Sequence, residues 1–365
     1  MIKVMFAGGK TGGHIFPAIA MAKELKKRHP HSRISFAGTE GGLEAKIVPP
    51  LGFELSFIRV KGFSRRSYLY NVFLGVYVLK SLCQAYRLLS LKKPNLVVGT
   101  GGYVSFPIVF VATLRRIPTI LQEQNSYPGI STRILAHFAN VVCLSYPESI
   151  RYFGLSGKIR VIGNPIREDL IGGEKSQARN KLHLDQNKRT VFVFGGSQGA
   201  HGINVTMLQS LKLLKSDCQV LWQTGESDYA EISEKTRNQR IKCMVLPFIE
   251  DMASAYAASD IVVSRSGALT LAEITACGKP SLLIPFPFAT ADHQRHNAEA
   301  LQKRGAARMI LQKDLTPERL AQEIDSLLTD EVNLKNMAKH SMEMGKPEAA
   351  SLLVDEMEKL LKDKM

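Results

Sequence analysis

The sequence predicts an α/β protein made of two Rossmann-like domains, each with a parallel sheet. Short apolar runs alternate with helical patterns in both halves of the chain, which is typical of parallel sheets covered by helices. A glycine-rich segment, AGGKTGGH, follows the apolar run at 2–6, and a second, GGSQGAH, follows the one at 190–194. A strand, a glycine turn and a helix N-terminus together form a site for phosphate. The duplication predicts two domains that face each other across a ligand-holding cleft.

The first half contains the elements of one such domain. Strands are predicted at 2–6, 33–37, 96–99, 119–122, 141–145 and 158–162, and helices at 17–28 and 68–91. Gly163-Asn164-Pro165 is predicted to be a hinge, because glycine and the residue before proline both interrupt regular structure. The first domain is therefore assigned to 1–163.

The same pattern restarts after the hinge. Strands are predicted at 190–194, 220–223, 244–246, 261–264 and 281–284, and helices at 200–215 and 268–277. The second domain is assigned to 164–342. The remainder, 343–365, has apolar residues at helical spacing from 352 to 361 and is predicted to be a helix that packs back on the first domain.

Composition excludes several classes of protein. A length of 365 residues fits two domains, and 45% hydrophobic residues exclude a disordered chain. The five cysteines include no C-x-x-C pair, which argues against a zinc site or a disulfide framework and favours a reducing compartment. Neither a secretory signal nor an apolar run of about 20 residues is present, so no membrane span is expected.

Positive charge is concentrated in one part of the chain. The net charge is +15, and 55–122 contains no Asp or Glu. Its basic residues are Arg59, Lys61, Arg65, Arg66, Lys80, Arg87, Lys92, Lys93, Arg115 and Arg116. Apolar residues recur at helical spacing in this stretch, and most of them are expected to lie in the core. They are Leu69, Val72, Phe73, Val76, Leu79, Leu82 and Tyr86. Because other faces of this helix are also apolar, 59–116 is predicted to bind an anionic membrane surface rather than nucleic acid, with a solvated basic face as the alternative.

Known nucleotide motifs do not fit the glycine segments. A Walker A loop requires a glycine where Val4 stands, and the dinucleotide fingerprint fails at Lys10 and Ser197. The chain has no Asp-x-Asp pair for a divalent metal, so no cofactor is expected. Amides, helix dipoles and cations must then neutralise a diphosphate.

Other polar segments are candidate sites. In SRSGALTLAE at 264–273, a helix begins near Ala268, Arg265 supplies a cation and Glu273 can accept from a ribose diol; the alternative is a capping turn with Ser266 as the cap. His14, beside the first glycine segment, is a candidate general base or an ordinary capping residue. The segments EQN at 123–125 and DHQRHN at 292–297 fit sugar hydroxyls or plain loops.

In this order, the motifs resemble the MurG family, bacterial GT-B glycosyltransferases of family 28. The ordered set is GGKTGGH, GTGGYVS, EQN, GNPIR, GGSQGA, FIEDM, SRSGALTLAE and DHQRHNA, with Lys10 and His201 as departures. The resemblance implies that N-acetylglucosamine is transferred from UDP-GlcNAc to undecaprenyl-diphospho-MurNAc-pentapeptide (lipid I), which gives lipid II for peptidoglycan. It also implies a peripheral protein on the cytoplasmic face of the cell membrane, and a reaction that inverts the anomeric centre without a metal.

The resemblance implies roles for particular residues. The residues that it implies bind the donor are Thr11, Gly12, Gly13, Asn125, Arg167, Ser197, Phe248, Ile249, Arg265, Ala268, Leu269, Thr270, Leu271, Ala272, Glu273, Gln294 and Asn297. The residues that it implies bind the acceptor diphosphate are Gly12, Gly13, His14, Gly101, Gly102 and Tyr103. Among these, Phe248 and Ile249 would hold uracil, Glu273 the ribose, and Gln294 and Asn297 the sugar. His14 is the candidate base.

Three alternatives remain open at this point. A UDP-sugar:diacylglycerol glycosyltransferase would share the donor motifs and the basic stretch. A UDP-GlcNAc 2-epimerase would share the fold and need no lipid. A non-catalytic protein that binds membrane or nucleic acid would use the basic stretch alone.

Overall fold

The computed structural model describes residues 1–9, 11–60, 74–154, 157–196 and 198–362. The chain divides into two compact units: unit 1 is Met1–Ile166 with Glu348–Met365, and unit 2 is Arg167–Pro347. The sequence analysis puts these boundaries at 163/164 and 342/343. Each unit is built on its own parallel sheet.

Unit 1 has a sheet of seven described strands. They are β1 (Lys3–Gly8), β2 (Arg33–Gly38), β3 (Glu54–Phe57), β4 (Leu96–Gly101), β5 (Thr119–Glu123), β6 (Val141–Leu144) and β7 (Ile159–Val161). Their order is β3-β2-β1-β4-β5-β6-β7, and each neighbouring pair is parallel. Because the order reverses beside β1, the carboxyl ends of β1 and β4 form a topological switch point, where open α/β sheets bind ligands.

Helices cover both faces of this sheet. They are α1 (Gly12–Arg28), α2 (Glu44–Ile47), α3 (Leu74–Lys92), α4 (Gly102–Leu114), α5 (Ile130–Ala136) and the C-terminal helix (Ala349–Lys362). Alternate residues of β1 serve two cores: Val4 and Phe6 pack with α1 and the C-terminal helix, and Met5 and Ala7 pack with α3 and α4. A strand buried on both faces has apolar residues in succession, which is why Val4, Met5, Phe6 and Ala7 follow one another without a polar residue.

The C-terminal helix is part of unit 1. Its apolar residues Leu353 and Met357 are fully buried in the core that contains α1. At the edge of that contact, Arg28 Nη1 donates to Asp355 Oδ1 at 2.6 Å. The last segment of the chain therefore completes a core that the first segment begins.

Unit 2 repeats the plan with a sheet of six described strands. They are β8 (Arg189–Phe194), β9 (Cys218–Gln223), β10 (Lys242–Leu246), β11 (Ile261–Ser264), β12 (Ser281–Leu283) and β13 (Ala307–Met309), in the parallel order β10-β9-β8-β11-β12-β13. Its helices are α6 (Lys175–Lys181), α7 (His201–Ser210), α8 (Glu226–Thr236), α9 (Met252–Ala258), α10 (Ala268–Ala276), α11 (His293–Lys303), α12 (Pro317–Thr329) and α13 (Glu331–Met344). The switch point is at the carboxyl ends of β8 and β11.

The structure differs from the predicted elements in several places, and helices such as α4, α8 and α12 were not predicted. Strands β3 and β13, both short and at sheet edges, were missed. Helix α1 begins at Gly12 rather than at 17, and α7 ends at Ser210 rather than at 215. Of the helix predicted at 68–91, only the part from Leu74 lies within the described residues. None of the described helices has the length and hydropathy to cross a bilayer.

Candidate active site

The first glycine segment lies at the switch point of unit 1. The last residues of the neighbouring strands β1 and β4, Gly8 and Gly101, are paired. Helix α1 begins at Gly12, so its first-turn amides and the positive end of its dipole point at the space beyond both strands. This arrangement can hold a phosphate. Lys10 lies outside the described residues.

His14 stands in the first turn of α1, as expected. Its Nδ1 lies 3.3 Å from the carbonyl oxygen of Gly9 and 3.1 Å from Oγ1 of Thr11. Because a carbonyl only accepts hydrogen bonds, the contact with Gly9 favours the tautomer that is protonated on Nδ1. Nε2 then carries the lone pair that a general base requires.

Two glycines at the end of β4 leave room for the His14 ring. A Cβ on Gly101, whose φ is +101°, would lie 2.7 Å from Cδ2 of His14, and a Cβ on Gly102 would lie 2.8 Å from the Gly9 carbonyl. The sequence analysis predicts no helix here, but Gly102 and the exposed Tyr103 open helix α4, with Gly101 as N-cap. A second helix N-terminus therefore lies at the same switch point.

Glu44, which the sequence analysis missed, supports this segment from below. It is fully buried, and its Oε1 accepts from the amide and the hydroxyl of Thr39 at 2.8 and 3.0 Å. Its side chain packs so tightly on three glycines that a Cβ on Gly9, Gly38 or Gly42 would approach it to 2.2–2.4 Å. Glycine at position 9 is therefore needed for packing as well as for the turn.

The EQN segment is organised by its carboxylate. Oε1 of Glu123 accepts from the backbone and side-chain N–H of Asn125 at 3.1 and 3.2 Å, and Oε2 accepts from the Gly129 amide at 3.1 Å. Gln124 is buried and donates to the Thr100 carbonyl at 2.7 Å. Of the three residues, only Asn125 is accessible enough to meet a ligand.

In unit 2, the second glycine segment packs closely against the loop after β9. Gly199 has a φ of +77°, and a Cβ there would lie 1.9 Å from the Thr224 carbonyl. Gln223, at the end of β9, donates to the Gly196 carbonyl at 2.9 Å and accepts from the Ile249 amide at 2.8 Å. This buried amide, also missed from sequence, joins the glycine segment to the FIEDM segment. Ser197 lies outside the described residues.

Residues 248 and 249 have contrasting environments. Phe248 is 50% exposed, so its ring is available to pack on a ligand. Ile249 is buried, and its amide is already bonded to Gln223. Of the two residues, Phe248 is therefore the one whose side chain a ligand can contact.

The SRSG segment follows β11 and leads into α10. The N-cap is Gly267, so the reading with Ser266 as cap was wrong; Ser266 is buried and donates to the Gln294 carbonyl at 2.7 Å. Ala268, Leu269 and Thr270 form the first helical turn, and the first N–H groups of a helix have no acceptor within the helix itself. Leu271 is not brought to this surface, because its side chain is in the core and its amide bonds to Gly267.

Arg265 is held beside this helix N-terminus. Its Nη1 donates to the carbonyls of Ile284 and Pro285, both at 3.1 Å, and its guanidinium lies 5.5 Å from the centre of the Phe286 ring. Burial lowers the pKa of Arg265 to about 10, so it is still a cation at neutral pH. A fixed cation and a helix N-terminus at one place can stabilise a diphosphate leaving group.

Ala272 and Glu273 follow the first turn of α10. Burial raises the pKa of the Glu273 carboxyl to about 7, against the opposing effects of the Tyr256 hydroxyl and the charge of Arg167. The hydroxyl of Tyr256 donates to Oε2 at 3.0 Å. Arg167, to which the resemblance also gives a donor-binding role, lies close enough for its charge to lower the pKa of this carboxyl.

Gln294 and Asn297 belong to α11. Gln294 Oε1 accepts from the Phe286 amide at 3.0 Å, whereas Asn297 is fully buried and donates to the Ser266 carbonyl at 3.3 Å. Both residues tie α11 to the loops after β11 and β12, and only Gln294 is partly exposed. The two residues before α11, Ala291 and Asp292, have φ values of +52° and +53°. They form a strained turn at the edge of this site.

Comparison with known proteins decides the family. The model of the glycosyltransferase family 28 N-terminal domain matches residues 4–144, and that of the family 28 C-terminal domain matches residues 190–353. The chain belongs to glycosyltransferase family 28. The predicted α/β fold with two Rossmann-like sheets and the predicted glycosyltransferase class are both confirmed.

Relatives of similar length show which group of family 28 the chain resembles. A protein of Thermodesulfovibrio yellowstonii is 41% identical over 366 residues, which cover 100% of both chains, and one of Desulforamulus reducens is 42% identical over 375 residues, which cover 99% of both. Both are named UDP-N-acetylglucosamine--N-acetylmuramyl-(pentapeptide) pyrophosphoryl-undecaprenol N-acetylglucosamine transferase. The predicted resemblance to the MurG family is therefore confirmed.

Solved structures agree on the fold. The MurG crystal structure from Acinetobacter baumannii matches with a TM-score of 0.80 and 28% identity, covering 98% of this chain and 100% of that one. A UDP-GlcNAc 2-epimerase from Neisseria meningitidis bound to UDP-GlcNAc matches with a TM-score of 0.69 and 14% identity, covering 98% and 100%. At that identity the likeness shows the fold alone.

Proposed function

We propose that this family 28 glycosyltransferase moves N-acetylglucosamine from UDP-GlcNAc to the muramoyl 4-hydroxyl of undecaprenyl-diphospho-MurNAc-pentapeptide, making lipid II for peptidoglycan. The observation that carries the proposal is identity of about two residues in five, over the full length of both chains, with transferases named for that reaction. The arrangement of polar groups at both switch points supports it.

Unit 2 supplies the donor site. The first-turn amides of α10 and the guanidinium of Arg265 fit the diphosphate, because both present positive charge at one helix N-terminus. The carboxylate of Glu273 fits the ribose diol, and the exposed ring of Phe248 fits the uracil face. Gln294 is the partly exposed amide that fits a sugar hydroxyl, with Asn297 holding α11 in place.

Unit 1 supplies the acceptor site. Helices α1 and α4 both begin at its switch point, so the amides of Gly12, Gly13 and Gly102 fit the lipid diphosphate. His14 stands in the same turn, with its Nδ1 directed at the Gly9 carbonyl. Asn125, fixed by Glu123, supplies a further amide for the sugars.

The reaction is a single displacement. The muramoyl O4 forms a bond to C1 of GlcNAc while the bond from C1 to the UDP oxygen breaks, so the α-linked donor gives a β-linked product. The hydroxyl proton passes to Nε2 of His14, and UDP leaves with both electrons of the broken bond. Arg265 and the α10 amides stabilise the charge on UDP, in the role that a divalent metal has in other sugar-nucleotide enzymes.

Two alternative activities, that of a UDP-GlcNAc 2-epimerase and that of a diacylglycerol glycosyltransferase, have less support. The Neisseria meningitidis epimerase is 14% identical to the chain, against 41% for the Thermodesulfovibrio yellowstonii transferase. A diacylglycerol glycosyltransferase would need the same donor site but a different acceptor. The second glycine-bounded helix N-terminus, at Gly101–Gly102, favours an acceptor that carries its own diphosphate.

An acceptor swap tests the proposal. The full-length protein in detergent micelles receives UDP-GlcNAc with a lipid I analogue, with diacylglycerol, or with no acceptor, and UDP release is measured. We expect release with the lipid I analogue alone. Release with diacylglycerol, or epimerised sugar without acceptor, would contradict the proposal in favour of the corresponding enzyme.

We further propose that unit 1 binds the anionic cytoplasmic face of the cell membrane as a peripheral protein. Helix α3 and the end of α4 expose Leu79, Tyr86 and Leu114, with exposed fractions of 64%, 56% and 67%. The core stripe predicted for this helix was wrong in part, since Ala85 and Leu89 are buried in place of Leu79 and Tyr86. These exposed side chains favour a lipid contact.

Basic side chains surround these residues. Lys80, Arg87, Arg115 and Arg116 are exposed on the same two helices and the turn that follows. The guanidinium of Arg115 lies 5.0 Å from the centre of the Tyr86 ring, which places charge and aromatic area together. An apolar surface with a basic rim fits anionic headgroups. Arg59 is also described, while Lys61, Arg65 and Arg66 lie outside the described residues.

Vesicle partitioning tests this proposal. We expect the protein to bind vesicles of phosphatidylglycerol with phosphatidylcholine more strongly than phosphatidylcholine alone, and to lose most of that binding in a Leu79→Ser, Leu114→Ser variant. Val332→Ser, at a 71% exposed position of unit 2, is the matched control. Equal binding to both kinds of vesicle would contradict the proposal.

A further inference from the structure

Tyr256 lies beneath the donor site without reaching its surface. It belongs to α9, the short helix that follows the FIEDM segment, and its side chain has no solvent exposure. Its ring packs edge-on against Phe192 at 5.7 Å and Phe194 at 6.2 Å between centres. Both phenylalanines belong to β8, so the ring is fixed by the strand that precedes the second glycine segment.

The one polar atom of this side chain is directed at Glu273. The Tyr256 hydroxyl donates to Oε2 at 3.0 Å, and among the described residues it is the only group that donates a hydrogen bond to this carboxylate. Burial raises the pKa of Tyr256 well above its ordinary value, so the hydroxyl keeps its proton and remains a donor. Oε2 is thereby occupied, and Oε1 is left to accept from a ligand.

We propose that Tyr256 is a positioning residue for nucleotide recognition, whose hydroxyl holds the Glu273 carboxylate in the orientation that accepts a ribose diol. This inference rests on the donor role given to Glu273 under the proposed function. A carboxylate on a flexible side chain loses rotational freedom when it binds a diol, and a fixed Oε2 has already lost that freedom. The hydroxyl therefore strengthens binding of the diol without touching it.

The same contact sets the pH range in which the carboxylate is charged. The groups that face Glu273 are Arg167 and Asp169 from the segment before α6, Tyr256 from α9, and Cys277 after α10. The hydrogen bond from Tyr256 favours the charged form and so opposes the effect of burial. Removing the hydroxyl should raise the pKa of Glu273 and move the pH dependence of nucleotide binding upward.

The test compares two nucleotides on the full-length Tyr256→Phe variant. UDP and 2′,3′-dideoxy-UDP are titrated by calorimetry between pH 6 and pH 9, with wild type and Tyr229→Phe of unit 2 as controls. We expect UDP to bind about three- to tenfold more weakly near neutral pH, the size of one lost hydrogen bond. Dideoxy-UDP should bind as it does to wild type, and the midpoint of UDP binding against pH should rise.

Each other outcome overturns the inference in a distinguishable way. Unchanged UDP binding with an unchanged midpoint would mean that the hydroxyl does not position the carboxylate. Equal loss of both nucleotides would make Tyr256 a purely structural residue. Equal binding of UDP and dideoxy-UDP by the wild type would instead contradict the ribose role of Glu273, on which the inference rests.

Discussion

At the scale of single residues, the donor unit keeps two charges in places where burial works against them. Burial lowers the pKa of Arg265 to about 10 and raises that of Glu273 to about 7. Arg265 still holds its charge at neutral pH, whereas the Glu273 carboxyl titrates in the neutral range. Groups held at such a cost to folding are typical of functional sites, because a ligand that stabilises the charged form recovers the cost on binding.

Replacing Glu273 by Gln should stabilise the fold and weaken nucleotide binding. The folded-state pKa of about 7 lies above the ordinary value of 4.5, so stability is fully present below 4.5 and is lost as pH rises through 7. A neutral amide avoids that loss. At pH 8 we expect Glu273→Gln to raise the free energy of unfolding by about 1–3 kcal/mol, with little change at pH 4.5. Urea unfolding at both pH values measures this.

Calorimetric titration with UDP completes that measurement. We expect weaker binding by Glu273→Gln at pH 8, because the amide offers one acceptor oxygen where the carboxylate offers two. A variant that is less stable than wild type at pH 8 would show that the Glu273 carboxylate is a structural acid rather than a ligand-binding one.

Replacing His14 by Gln should slow the chemical step. The glutamine amide can still donate to the Gly9 carbonyl, but it cannot accept the proton of the attacking hydroxyl. We expect kcat to fall by about 10²–10⁴, with the KM for UDP-GlcNAc within a few-fold of wild type. Steady-state kinetics at saturating acceptor measure both constants. A kcat within a few-fold of wild type would mean that His14 is not the base.

At the scale of elements, each glycine segment works through close packing as much as through its turn. Gly9 lies against the buried Glu44 carboxylate, and Gly199 lies against the Thr224 carbonyl. In unit 1 the partner is the first residue of α2, and in unit 2 it is the residue that follows β9, so each glycine segment is fixed by an element of its own unit. A fixed loop presents its amides without reorganisation when the ligand arrives.

A pair of glycine substitutions separates packing from backbone strain. Gly199 and Gly52 have nearly the same φ, +77° and +78°, but a Cβ at 199 would lie 1.9 Å from Thr224 O, whereas a Cβ at 52 meets nothing within 4 Å. We expect Gly52→Ala to cost about 1 kcal/mol of stability and leave UDP binding unchanged. Gly199→Ala should cost more and weaken UDP binding, and equal effects in thermal unfolding and titration would contradict this packing argument.

The sequence predicts what is local and misses what depends on distant contacts. The strands at 2–6, 190–194 and 261–264 were predicted because a buried parallel strand is a continuous apolar run. The helix starts at Gly12 and Gly102 were missed because glycine has low helix propensity, which tertiary packing overrides here.

The supporting residues of the site have no local signal. Tyr256 lies 17 positions from Glu273, and Gln223 lies 26 positions from Ile249, and neither belongs to a recognisable spacing. Each looks like an ordinary core residue until the fold brings its partner close. Glu44 is similar, since a single acidic residue outside any motif predicts solvent exposure, and this one is fully buried. Ligand-facing residues stand in recognisable motifs, whereas the residues behind them become visible only in the structure.

At the scale of the whole molecule, one architectural plan is used twice for different purposes. Both sheets have the order that reverses beside their first strand, and both bind phosphate-like groups at that reversal in our account. Unit 1 adds an exposed basic and apolar surface, which suits a lipid-linked acceptor. Unit 2 adds the half-buried Glu273 and Arg265, which suit a nucleotide diphosphate in the function we propose. Of the net charge of +15, ten positive charges lie in 55–122, a stretch of unit 1 without any acidic residue.

The structure of the lipid product tests the central claim most directly. The protein is incubated with UDP-GlcNAc and a lipid I analogue, and the lipid is analysed by mass spectrometry and by NMR of its new anomeric centre. We predict one added N-acetylhexosamine per lipid, β-linked to the muramoyl 4-oxygen. An unmodified lipid, an α-linkage or attachment at another hydroxyl would contradict the account.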